Sequence, residues 1–136
     1  MPQRDFGYDV PTMNRLPPVT RALLIANVAI FILQQLTGNL LIGPFALWPF
    51  ASPEFRGAPG FAIWQLLTYG FLHGSLTHLL FNMLGLFFFG SRVEARMGGT
   101  RFIQLYFVAG ITGALLSFVL SPNAGIIGAS GGEFGV

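Results

Sequence analysis

Three stretches in which nearly every residue is apolar restrict this chain more than any other feature. Val19–Leu36, Phe71 to about Ser91 and Phe102–Leu120 each reach the roughly 17 to 25 residues that a helix needs to cross hydrocarbon. Inside lipid no water satisfies the backbone, so each run must close its own hydrogen bonds as a helix. Hydrophobic residues make up 53% of the chain and charged ones 9%, too few charges to cover a soluble globule. The pattern predicts an all-α, polytopic membrane helix bundle with three complete transmembrane helices and the beginning of a fourth near Ser130. A cleaved signal peptide is the competing reading of the first run. No small-residue cleavage site follows Leu33, only Gln34-Gln35-Leu36-Thr37-Gly38, so an uncleaved span is the better assignment.

Between these runs the chain changes character. Residues 1–17 are a polar tail. Residues 37–65 hold eight Gly or Pro and six large aromatics, a broken and aromatic-rich composition suited to the headgroup layer. In the third run Ala109, Gly113 and Ser117 recur every four residues, a small-residue face that lets another helix approach closely. Gly98-Gly99 reads as a helix stop, with Thr100 as the cap of the next helix.

Orientation follows from arginine, because the chain has no lysine. Arg4, Arg15, Arg21, Arg92, Arg96 and Arg101 fall on one side of the three spans and only Arg56 on the other. The positive-inside rule makes the N-terminus and the 92–101 turn cytoplasmic and places loop 37–65 outside. A short N-terminus without a transit-peptide signature points to a bacterial inner membrane. A net charge of +2 offers nothing to hold nucleic acid, and the absence of cysteine removes disulfides and thiolate metal sites; no cofactor or metal is indicated.

Polar groups at membrane depth are costly, which makes them candidates for function. His78 and Asn82 are four residues apart on one helical face and could together donate to a developing oxyanion, or simply bond two helices to each other. Gly128-Ala129-Ser130-Gly131 offers a hydroxyl beside free amides, or else a small-residue packing patch. Glu94, flanked by Gly90 and Gly98 and set among Arg92 and Arg96, suits an ion-pair or capping role. His73, five residues before His78 and so about 140° round a helix, is expected to face elsewhere as a capping or structural residue.

In their order along the chain these features resemble the rhomboid family of intramembrane serine proteases. The resemblance runs from about Pro18 to Val136. It is carried by Trp64-Gln-Leu-Leu-Thr-Tyr-Gly-Phe-Leu-His73, His78-Leu-Leu-Phe-Asn82, Gly90-Ser-Arg-Val-Glu94-Ala-Arg-Met-Gly98 and Gly128-Ala-Ser-Gly131 with Phe134-Gly135. It implies a partial rhomboid-type membrane domain over residues 18–136, with a half-submerged loop after the first span. It also implies Ser130 as nucleophile, His78, Asn82 and the Ser130 amide as oxyanion donors, and Gly128 in the site loop. The implied substrate is a transmembrane segment of another protein. A catalytically inactive rhomboid-like protein that binds or escorts membrane proteins is the alternative, and an unrelated membrane scaffold a third; nothing fixes the oligomeric state. Two departures stand out. The family's general base is a histidine on a sixth span, whereas His73 and His78 match other positions, so these 136 residues alone are expected to be inactive. Glu133 stands where the family has an apolar residue or alanine, a substitution costing about 2.5 to 3.5 kcal/mol at a lipid-facing helix centre.

Overall fold

In the computed structural model, residues 15–38, 40–48, 60–120, 125–127 and 132–134 are described. Three helices are long and apolar enough to cross a bilayer: Pro18–Thr37, Leu76–Met97 and Gly99–Leu120. At 1.5 Å per residue each is about 30 Å long, the thickness of the hydrocarbon layer. The first is α1, which ends where Gly38 turns left-handed at φ 53°. Two single turns, α2 (Ile42–Phe45) and α3 (Gln65–Thr68), lie in the connection to the second span, and α3 runs on into a tight turn at Tyr69–Phe71. The second span joins α4 (Leu76–Gly85) to α5 (Ser91–Met97) through a wider, π-type turn at Leu86–Gly90. The third span is α6 (Gly99–Leu120), separated from α5 only by Gly98 at φ 86°.

The second span starts five residues later than the apolar run suggests. Leu72 is extended, and Ser75, also extended, accepts a hydrogen bond from the His78 amide at 3.2 Å, so the cap fixes the first helical residue at Leu76. The third span starts earlier than expected, at Gly99, which places Thr100 in the first turn rather than at the cap.

Glu94 organises the end of the bundle where the three spans meet. Its carboxylate is buried and accepts from the Val19 amide at 2.9 Å, the Thr20 amide at 2.7 Å and the Thr20 hydroxyl at 2.7 Å. The capping role expected for Glu94 is therefore real, but the helix capped is α1, whose first amides have no intrahelical partner and no cap of their own. Gly90 and Gly99 allow this close approach. A Cβ on Gly90 would meet Leu86 Cδ1 at 2.9 Å and Phe102 Cζ at 3.2 Å, and one on Gly99 would meet Val19 Cγ2 at 3.0 Å. Gly90→Ala is accordingly expected to destabilise the folded protein by about 1 to 3 kcal/mol, measured as a shift of its unfolding midpoint in detergent. Beside this π-type turn the Ser91 hydroxyl donates to the Phe87 carbonyl.

The connection between spans one and two is packed like protein interior in its described parts. Ile42, Ala46, Trp48 and Leu72 form one buried cluster, and Leu47 and Tyr69 form another with Ala114 of α6. Gln65 receives the Trp48 amide at 3.1 Å and donates to the Gly60 carbonyl at 3.1 Å. The Trp48 indole donates to Gly43 O at 2.7 Å and that of Trp64 to Pro44 O at 2.8 Å. Among the described residues, Gly110, Gly113 and Ala114 of α6 meet this connection. Tyr69 donates its hydroxyl to Gly110 O at 2.6 Å, and a Cβ on Gly113 would lie 3.2 Å from that oxygen. Ala109, counted on this face from its spacing, is exposed, because the contact surface runs through Gly110, Gly113 and Ala114. Tyr69→Phe removes one buried hydrogen bond and should cost about 0.5 to 1.5 kcal/mol in the same unfolding measurement.

The stretch in which a fourth span is expected to begin is described only in part. Gly125–Ile127 (β1) and Gly132–Phe134 (β2) are extended and pair antiparallel, with Ile126 opposite Glu133, and β1 lies against the Tyr69–Phe71 turn. Gly125 and Gly132 open these two described stretches, and glycine disfavours a helix. Gly128 and Ser130 lie outside the described residues.

Candidate active site

The candidate donors sit at the start of the second span because Ser75 fixes where that helix begins. His78 and Asn82 then occupy successive turns on one face, as their spacing predicts, and both are half-buried. The Nδ2 of Asn82 is fully shielded and has no hydrogen-bond partner among the described residues. A shielded amide without an acceptor costs about 1 to 3 kcal/mol, so its retention needs an explanation beyond packing.

His73 departs from expectation. Because Leu72 is extended and the helix starts only at Leu76, helical geometry does not apply to it. Its ring packs edge-on against that of His78, with centroids 5.2 Å apart and planes at 66°. It is 1% exposed, and neither ring nitrogen has a hydrogen-bond partner among the described residues. Burial first, and the neighbouring His78 second, push its pKa down to about 4, opposed by the Phe71 backbone, which falls short of a regular hydrogen bond to the ring. The residue is held by its backbone. Gln34 of α1 donates Nε2 to His73 O and accepts the His73 amide at Oε1, both at 3.0 Å.

His73 and Asn82 line an open-sided hollow of about 390 Å³ together with Asn27, Phe102 and Tyr106, among others. Polar groups thus reach it from all three spans. Asn27, whose Nδ2 donates to Leu23 O at 2.7 Å, faces the Tyr106 hydroxyl. Asn27, Gln34 and Tyr106 were not singled out in the sequence. The signal for the two amides was available, since both are carboxamides inside a run otherwise apolar.

Residues 60–136, more than half of the chain, match the family model of the rhomboid domain. The chain belongs to the rhomboid family. It is 28% identical over 111 residues to the rhomboid protease GlpG of Yersinia pestis (strain Pestoides F), covering 82% of this chain and 38% of that protein. The same values hold for the rhomboid protease GlpG of Yersinia pseudotuberculosis serotype IB (strain PB1/+). This rhomboid sequence therefore spans less than half the length of those relatives. Family membership and three span-capable helices make it a multi-pass membrane protein of the all-α rhomboid type.

Proposed function

We propose that this chain is part of an intramembrane serine endopeptidase that hydrolyses peptide bonds in or near transmembrane segments of other proteins. The observation that carries the reading is the shielded Nδ2 of Asn82, which has no hydrogen-bond partner among the described residues and lies one turn from His78 and beside a hollow that receives polar groups from three spans. A shielded donor without an acceptor among the described residues is what a site for transient negative charge requires.

In this reading Ser130, in its Gly128-Ala-Ser-Gly131 setting, is the nucleophile. Its Oγ bonds to the scissile carbonyl carbon, and its proton passes to a general base, which the family pattern places on a sixth span. The carbonyl oxygen becomes an oxyanion held by Asn82 Nδ2, a ring N–H of His78 and the Ser130 amide. Collapse breaks the C–N bond, the amine leaves with the proton, and water then hydrolyses the acyl-enzyme. The distribution of arginine supports a cytoplasmic N-terminus and a site near the outer surface of a bacterial cell membrane.

The test is kinetic, on the full-length protein with a transmembrane substrate. Asn82→Ala and His78→Ala should each lower kcat by about 10²- to 10³-fold with KM little changed, the penalty for losing one oxyanion donor. Variants that keep their thermal stability and cleave at the wild-type rate would remove both residues from the mechanism.

A further inference from the structure

A groove of about 600 Å³ between α1 and the second span plays no part in the proteolytic reading. The described residues that line it are all apolar, among them Leu24, Val28 and Ile32 of α1 and Leu80, Leu84 and Phe88 of the second span. Each set recurs every four residues and so forms one wall along its helix. Ile32, Leu80 and Leu84 are 53%, 55% and 52% exposed, so these walls face an apolar medium and not a packed neighbour among the described residues. Eight residues at 1.5 Å each give the groove a length of about 12 Å, close to the roughly 15 Å of hydrocarbon in one leaflet. An acyl chain from one leaflet matches that length. The same two walls end in cations. Arg21 stands one turn before Leu24 and Arg92 one turn after Phe88, and both are exposed. The bonds of Glu94 to the Val19 and Thr20 amides hold the start of α1 against α5, which puts both arginines at the same mouth of the groove. Glu94 is the one acid that the described residues place at this end, and its carboxylate is buried and engaged by Val19 and Thr20.

We propose that this groove binds one anionic phospholipid, with an acyl chain between α1 and the second span and the phosphate between Arg21 and Arg92. The apolar walls alone would accept a chain from any lipid, and two guanidinium groups alone would accept any phosphate. Joined end to end they select a molecule that carries both. A net negative headgroup is preferred over a zwitterionic one, whose own cation would face the two arginines. The arginine-rich end is the one that the charge bias assigns to the cytoplasm, so the lipid belongs to that leaflet. The site lies on walls that contain neither His78 nor Asn82, and it stands whether or not the chain takes part in proteolysis.

Native mass spectrometry of the full-length protein, released from detergent that contains phosphatidylglycerol or phosphatidylcholine with the same acyl chains, counts the lipids retained. The expected result is one phosphatidylglycerol held at concentrations where phosphatidylcholine is lost. Glycerol 3-phosphate, which has the phosphate without the chains, should not compete. Arg21→Gln and Arg92→Gln should each weaken retention about 5-fold, and together about 25-fold, the contribution expected of a basic residue beside an anionic lipid. The double lysine variant keeps both charges and should stay near the wild type. Arg15→Gln combined with Arg101→Gln removes the same charge outside the groove and should also leave retention unchanged. Val28→Trp fills the groove and should displace the lipid although both arginines remain. Equal retention of the two lipids, or an Arg15 and Arg101 variant as weak as the Arg21 and Arg92 variant, would overturn the proposal. So would a dimer that retains no lipid, since a second copy would then cover the groove.

Discussion

Full-length protein carrying Ser130→Ala is expected to lose proteolysis by about 10⁴- to 10⁶-fold while unfolding at the temperature of the wild type. The size follows from chemistry. Without Oγ no acyl-enzyme forms, and the oxyanion donors alone supply only a small remainder of the rate, as in other serine hydrolases where removal of the nucleophile costs about as much as removal of the whole catalytic set. Trapping with a fluorophosphonate probe separates chemistry from binding: the wild type should be labelled on Ser130 and the variant not at all. Retained cleavage by the alanine variant would show that another group attacks and would favour a different site altogether. Retained substrate capture without cleavage in the wild type would point instead to a binding or escort protein.

Removing the carboxylate of Glu94 should be the most damaging change to stability. Glu94→Ala leaves the amides of Val19 and Thr20 and the Thr20 hydroxyl without their acceptor in a buried place. At about 1 to 3 kcal/mol for each stranded group, and with incomplete additivity, a loss of about 3 to 5 kcal/mol is expected. That is a large share of the 5 to 15 kcal/mol typical of folded domains, so the variant should accumulate poorly and unfold at much lower temperature. Glu94→Gln keeps one carbonyl oxygen as an acceptor but turns the other position into a donor facing a donor, and should fall between the two. A thermal melt of the three proteins in the same detergent gives the order wild type, Gln, Ala; Glu94→Ala melting with the wild type would mean that water replaces the carboxylate.

The spans and the pairing of His78 with Asn82 were legible because apolar length and a four-residue spacing are properties of the chain itself. The role of Glu94 was legible only in kind. Its setting among Gly90, Gly98 and two arginines suggested capping, but that the capped element is the start of α1 depends on a contact 75 positions away in sequence, which no local pattern encodes. His73 was misplaced for a local reason. Counting it as helical ignored Gly74-Ser75, a capping signal directly ahead of Leu76 that ends the helix before reaching His73. The face of α6 was misjudged by one position, because a four-residue repeat drifts around a 3.6-residue helix and the true contact shifts from Ala109 to Gly110.

The segment linking the first two spans is tied at one end to α1 by Gln34 and to the third span by the Tyr69 hydroxyl, with Thr68 bonded back to Phe45 O at 2.8 Å. Such a brace is stiff. A hydrophobic guest helix pushing in from this flank would have to undo these bonds together and pull Leu47 and Tyr69 off Ala114. If the proposed proteolysis holds, a substrate helix is therefore expected to enter on another flank, with the described part of this connection as the fixed side.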